Sequence, residues 1–333
     1  MGWTLTDDLE EFLARAGGFL RGDPVANTVA LTVTENLHIQ GADLYGAALF
    51  GWWTNAGRID GTFLRTGSYP PLLSAMPEQA ARDLARVLAR HGDPVPGVNG
   101  EPATARAFAE TWTNKTTTNE INPPSTDGTL ASAERDAPAE SGAAAEKATG
   151  DGRGAATENG PGGEGGGGWG TGGAGRVKER QRLYRLGRLE VPDPLPEGAA
   201  RVAGAADGAL VLDWFAAFGR EAGDYGDTNR AAIEAKLGDG RVTLWEAGGR
   251  PVAVAGRTPT VAGMARVAPV YTPPEHRRRG YAAAVTAAVT RAALDGGATE
   301  VVLFTDLANP TSNGVYQRLG YRTVQDRVVL DLT

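Results

Sequence analysis

Hydrophobic positions along the second half of the chain change repeatedly between a helical and a strand pattern. A repeat near 3.6 residues predicts a helix, whereas alternation or a short continuous apolar run predicts a strand. The predicted order is helices 207–221 and 228–237, strands 241–246, 251–258 and 264–272, helix 278–294, strand 301–305, helix 309–319, and a closing hairpin of 321–324 with 327–332. Strands mixed with helices in this way indicate an α/β domain.

The first half of the chain repeats this order of elements. It predicts helices from 6 to 20 and from 23 onward, strands 47–53, 58–65 and 71–75, helix 77–91, strand 95–98 and helix 102–112, with strand 181–186 closing the half. We infer an internal duplication from the order of elements, because the two copies share little sequence. The predicted fold class is α/β (α+β), with two tandem lobes that are each a mixed sheet flanked by helices.

A polar and glycine-rich segment separates the two parts of the first copy. Between residues 122 and 175 the only large apolar side chains are Leu130 and Trp169, and glycine makes up more than half of residues 150–175. Such a segment buries too little apolar surface to offset the entropy cost of ordering it. We therefore predict a disordered insert at 115–175. It divides the chain into an N-terminal lobe (1–114 with 176–192) and a C-terminal domain (199–333).

Composition narrows the possible functions. A net charge of −7, from 33 basic and 40 acidic residues, argues against a nucleic-acid-binding protein. The chain has no cysteine and only three scattered histidines, so we expect no disulfide, no cysteine nucleophile and no metal. We find neither a secretory leader nor an apolar run long enough to span a membrane, and therefore expect a cytoplasmic protein without membrane contact.

The strongest chemical signal is the stretch MARVAPVYTPPEHRRRGYA, residues 264–282. It predicts a buried strand, a proline-rich loop, and three arginines with a glycine opening a helix. Unpaired N–H groups at a helix N-terminus bind anions, and Gly280 would let a ligand approach the backbone closely. The sequence therefore predicts an anion site here, although a solvated basic turn is the simpler alternative for the three arginines.

A second signal lies in VVLFTDLANPTSNGVYQRLGY, residues 301–321. A continuous apolar strand leads into a helix with Asn309 as its N-cap and Pro310 at its first position. Asn313 and Tyr316 are three residues apart and so share one face of that helix.

Both stretches resemble signatures of the GCN5-related N-acetyltransferases. Arg277-x-x-Gly280-x-Ala282 fits the family pattern (Gln/Arg)-x-x-Gly-x-(Gly/Ala), and the strand, loop and helix with Asn313 and Tyr316 resemble the second signature. The signatures occur in the family's order. They look most like tandem actinobacterial members whose first copy is degenerate, and they imply two lobes of the acyl-CoA N-acyltransferase fold.

The resemblance implies acetyl-CoA as acyl donor and direct attack by an amine in a ternary complex. It implies that backbone near Val270, Tyr271 and Thr272 holds the thioester carbonyl. It implies that the amides of Arg277, Arg278, Arg279, Gly280, Tyr281 and Ala282 hold the pyrophosphate. Asn313 would bond to the pantetheine arm or nearby backbone, and Tyr316 would give a proton to the departing thiolate. It implies a small-molecule or peptide amine as acceptor, and the expected state is a monomer or homodimer.

Each of these roles has a structural competitor. Tyr316 could be a half-buried helix tyrosine, and Asn313 could cap its own helix. Glu246 and Asp306 lie near strand ends and are candidate general bases, but structural roles compete for both and no base is assigned. Tryptophans 52, 53 and 245 could line an acceptor site, although core packing is the simpler interpretation.

The first copy is expected to lack this chemistry. Aligning the proline-initiated segments places Ala80 at Arg277, Asp83 at Gly280, Ala105 at Asn313 and Phe108 at Tyr316. The arginine and the hydroxyl would both be missing, and an acidic side chain would repel a phosphate. We therefore predict one acetyl-CoA site per chain. Alternative functions are an inactive acyl-CoA sensor and an interaction protein whose insert recruits partners.

Overall fold

The computed structural model describes residues 1–41, 46–92, 94–121, 175–222 and 230–333. Most of the predicted insert at 115–175 lies outside these residues, including Leu130 and Trp169. Helix backbone continues to Ile121, past the predicted start of the insert.

The elements follow the predicted order closely. The first half contains β1 (Gly2–Thr6), α1 (Leu9–Gly22), α2 (Thr28–Gln40), β2 (Ala48–Asn55), β3 (Arg58–Thr66), β4 (Leu72–Leu73), α3 (Glu78–His91), β5 (Gly97–Gly100), α4 (Pro102–Ile121) and β6 (Arg176–Leu186). The second half contains β7 (Ala199–Val202), α5 (Gly208–Ala222), α6 (Arg230–Gly238), β8 (Val242–Ala247), β9 (Arg250–Arg257), β10 (Met264–Tyr271), α7 (Tyr281–Asp295), β11 (Glu300–Asp306), α8 (Pro310–Arg318) and β12 (Tyr321–Asp331).

Several boundaries differ from the sequence predictions for local reasons. The carboxylate of Asp8 accepts hydrogen bonds from the N–H groups of Glu10 and Glu11, so α1 begins later than residue 6. The second helix begins at Thr28, not at Asp23, because the residues between them form a turn. Strands β1 and β7 were not predicted.

The predicted closing hairpin is wrong. Residues 321–331 form the single strand β12, which pairs with β6 along its whole length and absorbs one extra residue between Thr323 and Gln325. Arg182 of β6 donates two hydrogen bonds to the carboxylate of Asp326 at 2.7 and 2.9 Å, which holds the predicted turn region in line with the strand.

The described strands form one mixed sheet in the order β1-β2-β3-β4-β5-β12-β6-β11-β10-β9-β8-β7. The expectation that β6 closes the first half is corrected by this order, because β12 lies between β5 and β6. The last strand of each half thus lies next to strands of the other half: β12 pairs with β5, and β6 pairs with β11. The sheets of the two halves are therefore continuous. The division into residues 1–114 with 176–192 and 199–333 stays a prediction.

Helices cover both faces of this sheet. In the second half, α7 and α8 pack with Tyr184 and Leu303 on one face, whereas α5 and α6 pack with Leu244 and Tyr271 on the other. In the first half, α3 and α4 share one core and α1 and α2 another. Trp52, Trp53 and Trp245 are at most 6% exposed, so they are core residues.

Candidate active site

The site begins where the parallel strands β10 and β11 part. They pair only from Met264 to Arg266 and from Glu300 to Val302. Beyond this point β10 follows β9, with a register shift between Val267 and Val270, while β11 follows β6 as far as Asp306. The C-terminal ends of both strands therefore border a V-shaped opening in the sheet, with β10 paired on one side only.

The predicted carbonyl-binding segment lies along this opening. Val270 packs in the core that contains Tyr281 and Tyr316, whereas the ring of Tyr271 faces the opposite side of the sheet, 6.4 Å from that of Trp214. The backbone at Val270 and the side chain of Tyr316 thus lie on one face. The hydroxyl of Thr272 is buried, and no described residue forms a hydrogen bond with it.

The loop from Thr272 to Gly280 ends in a turn that exposes backbone N–H groups. Arg278 has φ 61° and Gly280, the N-cap of α7, has φ 84°. Glycine tolerates this left-handed conformation, which few other residues adopt. The N–H groups of residues 278–282 donate to no acceptor within the described part of the chain. Successive unpaired N–H groups at a helix N-terminus form an anion-binding concavity.

The three arginines of this loop have different surroundings. Arg277 Nη2 donates to both carboxylate oxygens of Glu221 at 2.8 and 2.7 Å, and its Nε donates to the Thr272 carbonyl at 2.9 Å. Its guanidinium also lies 5.8 Å from the centre of the Tyr271 ring. Arg277 therefore ties the loop to the end of α5, while Arg278 and Arg279 are exposed beside the N–H groups. The ion pair between Glu221 and Arg277 could not be predicted from the sequence, because the two residues are far apart along the chain.

Asn313 lies at the centre of a hydrogen-bond network. Its Nδ2 donates to the carbonyls of Asp306 and Asn309 at 2.9 and 2.7 Å, and its Oδ1 accepts from the Tyr184 hydroxyl at 2.9 Å. Gln317 Nε2 in turn donates to that hydroxyl at 3.2 Å. Sequence analysis missed Tyr184, because its alternating strand pattern carries no sign of which helix packs on it.

Tyr316 lies one turn beyond Asn313 on α8. It is half-buried, and its ring meets that of Tyr321 edge to face at 6.2 Å. Burial raises the pKa of Tyr316 to about 12, so the phenol keeps its proton at neutral pH. Its hydroxyl bonds to no described residue, whereas that of Tyr321 lies 2.7 Å from the Thr290 hydroxyl. Tyr316 is thus a neutral proton donor without a partner in this part of the structure.

The two candidate bases have structural partners. Glu246 lies 3.0 Å from Arg201, which also bonds to Asp207. Asp306 accepts the N–H of Ala308 at 2.8 Å and so shapes the turn before α8. Of the two, only Asp306 lines the groove at the end of β11, which is also lined by residues 177–180, 222, 307 and 308.

The equivalent region of the first half is closed. Strands β4 and β5 pair only at Leu72 and Asn99. Arg327 of β12, only 4% exposed, fills the point where they part, donating to the Leu73 carbonyl at 2.9 Å and to the Asn99 carbonyl and side-chain oxygen at 3.3 and 3.1 Å. Burial lowers the pKa of Arg327 to about 10, which leaves it charged at neutral pH.

The predicted alignment of the first helix is also corrected. Ala80 and Asp83 both lie inside α3, whose N-cap is Pro77, so Pro77 and not Asp83 corresponds to Gly280. Only residues 74–77 connect β4 to α3, and no left-handed residue occurs among them. Ala105 and Phe108 are fully buried in α4. Among its described residues, the first half thus has no left-handed turn directly before α3, and it has Phe108 where the alignment places Tyr316.

Among the described residues, no three histidine or acidic side chains are grouped so that they could hold a metal ion. None of the described helices is both long and apolar enough to cross a membrane.

Comparisons with known proteins give a family match for part of the chain and a fold match for almost all of it. The acetyltransferase (GNAT) family matches the sequence over residues 209–321. No curated protein sequence matches the chain.

Solved structures resemble the whole chain. They include a GNAT-family acetyltransferase from Colwellia psychrerythraea (11% identity, 100% of both chains, TM-score 0.51) and a GCN5-related N-acetyltransferase from Sphaerobacter thermophilus (15% identity, 98% of this chain and 94% of that one, TM-score 0.54). A Drosophila protein aligns with TM-score 0.57 at 13% identity, over 99% of this chain and 98% of that one. Family and fold together support an acyl-transfer function. Residues 209–321 thus match the acetyltransferase (GNAT) family, and solved structures of the same fold cover almost the entire chain.

Proposed function

We propose that this protein transfers an acetyl group from acetyl-CoA to an amine. The observation that carries the proposal is the opening between β10 and β11, which leads directly to the unpaired N–H groups before α7. The acceptor is a small-molecule or peptide amine. As expected from the sequence, the protein would act in the cytoplasm as a monomer or homodimer.

The loop before α7 would bind the pyrophosphate of the donor. Its N–H groups at residues 278–282 have no other partner among the described residues, and the exposed Arg278 and Arg279 add positive charge beside them. Arg277 would act through Glu221 by fixing the shape of the loop. The buried hydroxyl of Thr272 fits a polar ligand group as its missing partner.

The unpaired edge of β10 would hold the acyl group. Backbone N–H near Val270 would stabilise the oxyanion as the acceptor nitrogen attacks the thioester carbon. The carbon–nitrogen bond forms, the carbon–sulfur bond breaks, and Tyr316 gives its proton to the departing thiolate. The amine loses one proton to solvent or to an unassigned base. Asn313 would lie beside the pantetheine arm of the donor. Its three hydrogen bonds within the protein would keep the start of α8 in place next to that arm.

Two measurements test this proposal. Calorimetry with acetyl-CoA should give one site per chain, because Arg327 closes the first half; two equivalent sites would contradict it. A panel of amines, assayed for release of the CoA thiol, should identify acceptors, with reactions lacking an amine as the control. Binding of acetyl-CoA without turnover of any amine would instead favour the acyl-CoA sensor.

A further inference from the structure

Tyr184 belongs to the first half of the sequence but lies inside the second half of the fold. Its strand β6 runs between β11 and β12, where Tyr184 is opposite Leu303 on one side and Thr323 on the other. The side chain is fully buried in the core that contains Tyr316. Strand β6 therefore brings a residue of the first half into the core against which Tyr316 packs.

The hydrogen-bond directions around the Tyr184 hydroxyl are fixed by its partners. Gln317 Nε2 can only donate to the phenolic oxygen, so the phenolic hydrogen points to Asn313 Oδ1. With its oxygen held in this way, the Asn313 amide directs both hydrogens to the carbonyls of Asp306 and Asn309. The two carbonyls, which can only accept, and the Tyr184 hydroxyl together fix which way the Asn313 amide faces, and that amide joins the first turn of α8 to the end of β11.

The position of Tyr316 depends on this junction. Its hydroxyl has no hydrogen-bond partner among the described residues, so the side chain is placed by α8 and by packing in the core, including the contact with the Tyr321 ring. Asn313 and Gln317, both bonded to Tyr184, flank Tyr316 on the same helix, at three residues before it and one after it.

We propose that Tyr184 is a positioning residue for the proton donor Tyr316, so that a strand from the first half completes the acyl-transfer site of the second. The inference rests on the proposed function. A purely structural tyrosine would need only its ring for packing in this core. Here the hydroxyl forms two hydrogen bonds, both to residues of the helix that carries Tyr316.

The test is Tyr184→Phe, which keeps the ring and removes the hydroxyl. We expect kcat to fall about 10-fold, while the Kd for acetyl-CoA changes less than about two-fold. The matched control is Ser74→Ala in the first half. It removes one buried hydroxyl that accepts the Thr62 N–H at 2.8 Å and should lower stability without changing kcat.

A double variant separates positioning from general destabilisation. If Tyr184 acts through Tyr316, then adding Tyr184→Phe to Tyr316→Phe should change kcat less than two-fold, because the shared effect is already lost. An equal loss in both backgrounds would overturn the inference, as would an unchanged kcat in Tyr184→Phe alone. If Tyr184→Phe does not fold, Gln317→Met removes the other bond to the same hydroxyl and should lower kcat in the same selective way.

Failure of the proposed function would look different. The unaltered protein would then neither bind acetyl-CoA nor release CoA with any amine. Failure of the Tyr184 inference leaves that activity intact and shows only in the variants.

Discussion

Two pairs of parallel strands occupy corresponding places in the two halves, β4 with β5 and β10 with β11. Both pairs part after a short paired stretch. In the second half the opening leads to a left-handed turn with unpaired N–H groups, whereas in the first half a buried arginine bonds to the carbonyls of both strands. The same arrangement of strands thus leaves an open cleft between β10 and β11, whereas Arg327 fills the corresponding gap between β4 and β5.

Loop length is a main physical difference between them. Residues 272–280 connect β10 to α7 and leave room for a turn with two positive φ angles, whereas residues 74–77 lead directly into α3. Strand exchange is the other difference, because β12 brings Arg327 to the first half, while β6 brings Tyr184 to the second. In the first half, the short connection and the Arg327 side chain together leave no open cleft between β4 and β5.

The largest expected effect is on the open side. Gly280→Asp should weaken acetyl-CoA binding about 1,000-fold, because a carboxylate would face the pyrophosphate and the backbone has φ 84°. Calorimetry measures the change. The matched control is Gly297→Asp, which has φ 90° at the other end of α7 and open space around it. If Gly280→Asp binds acetyl-CoA as tightly as the unaltered protein, the pyrophosphate does not bind at this loop.

Tyr316→Phe should lower kcat about 100-fold with little change in acetyl-CoA affinity, because a general acid contributes at least that much in many enzymes. Steady-state kinetics measure the change in kcat, and calorimetry measures the affinity for acetyl-CoA. An unaltered kcat would take Tyr316 out of the mechanism.

The pH profile gives a second measurement on this tyrosine. A proton donor works while it is protonated, and burial raises the pKa of Tyr316 to about 12. Its contribution to kcat should therefore persist up to pH 10 and be lost only as the pH rises through about 12. A decline of kcat near pH 8 that disappears in Tyr316→Phe would contradict this assignment.

Replacing Arg327 in the first half should change the stability of the protein but not the number of acetyl-CoA molecules that it binds. Arg327→Met should lower the free energy of unfolding by about 2 kcal/mol, because it leaves buried acceptors of Leu73 and Asn99 without donors. Denaturant unfolding measures this, with exposed Arg322→Met of the same strand as control. Acetyl-CoA should still bind at one site; a second site would show that Arg327 alone closes the first half.

The smallest expected effect concerns the contact between α5 and the cradle loop. Glu221→Gln should weaken acetyl-CoA binding about two- to five-fold, since the ion pair with Arg277 is exposed and contributes little by itself. Glu234→Gln removes a comparable exposed pair on α6 and should leave the affinity unchanged. A loss above about 10-fold would mean that the pair controls the loop more strongly than its exposure suggests.

Local sequence patterns were enough to locate most of the elements and the cradle. Gly280 stands at the N-cap of α7, and Asn309 caps α8 by accepting the N–H of Ser312 at 3.0 Å. These features depend on backbone conformation and hydrogen bonds within a few residues, so the sequence carries them. The two edge strands β1 and β7 were missed because they are short and none of their residues is buried, so no apolar run marks them in the sequence.

Contacts between residues that are far apart in the sequence could not be predicted from such local patterns. The sequence by itself predicted the α/β fold class and the repeated order of elements, and it placed Arg277–Ala282 at the start of a helix and Tyr316 within one. Only the tertiary structure decided that β6 and β12 change places, that Glu221 takes Arg277, and that Arg327 seals the first half. The physical reason is that helix caps and turns are set by neighbours in the chain, whereas strand pairing and buried hydrogen bonds join residues that are far apart in sequence.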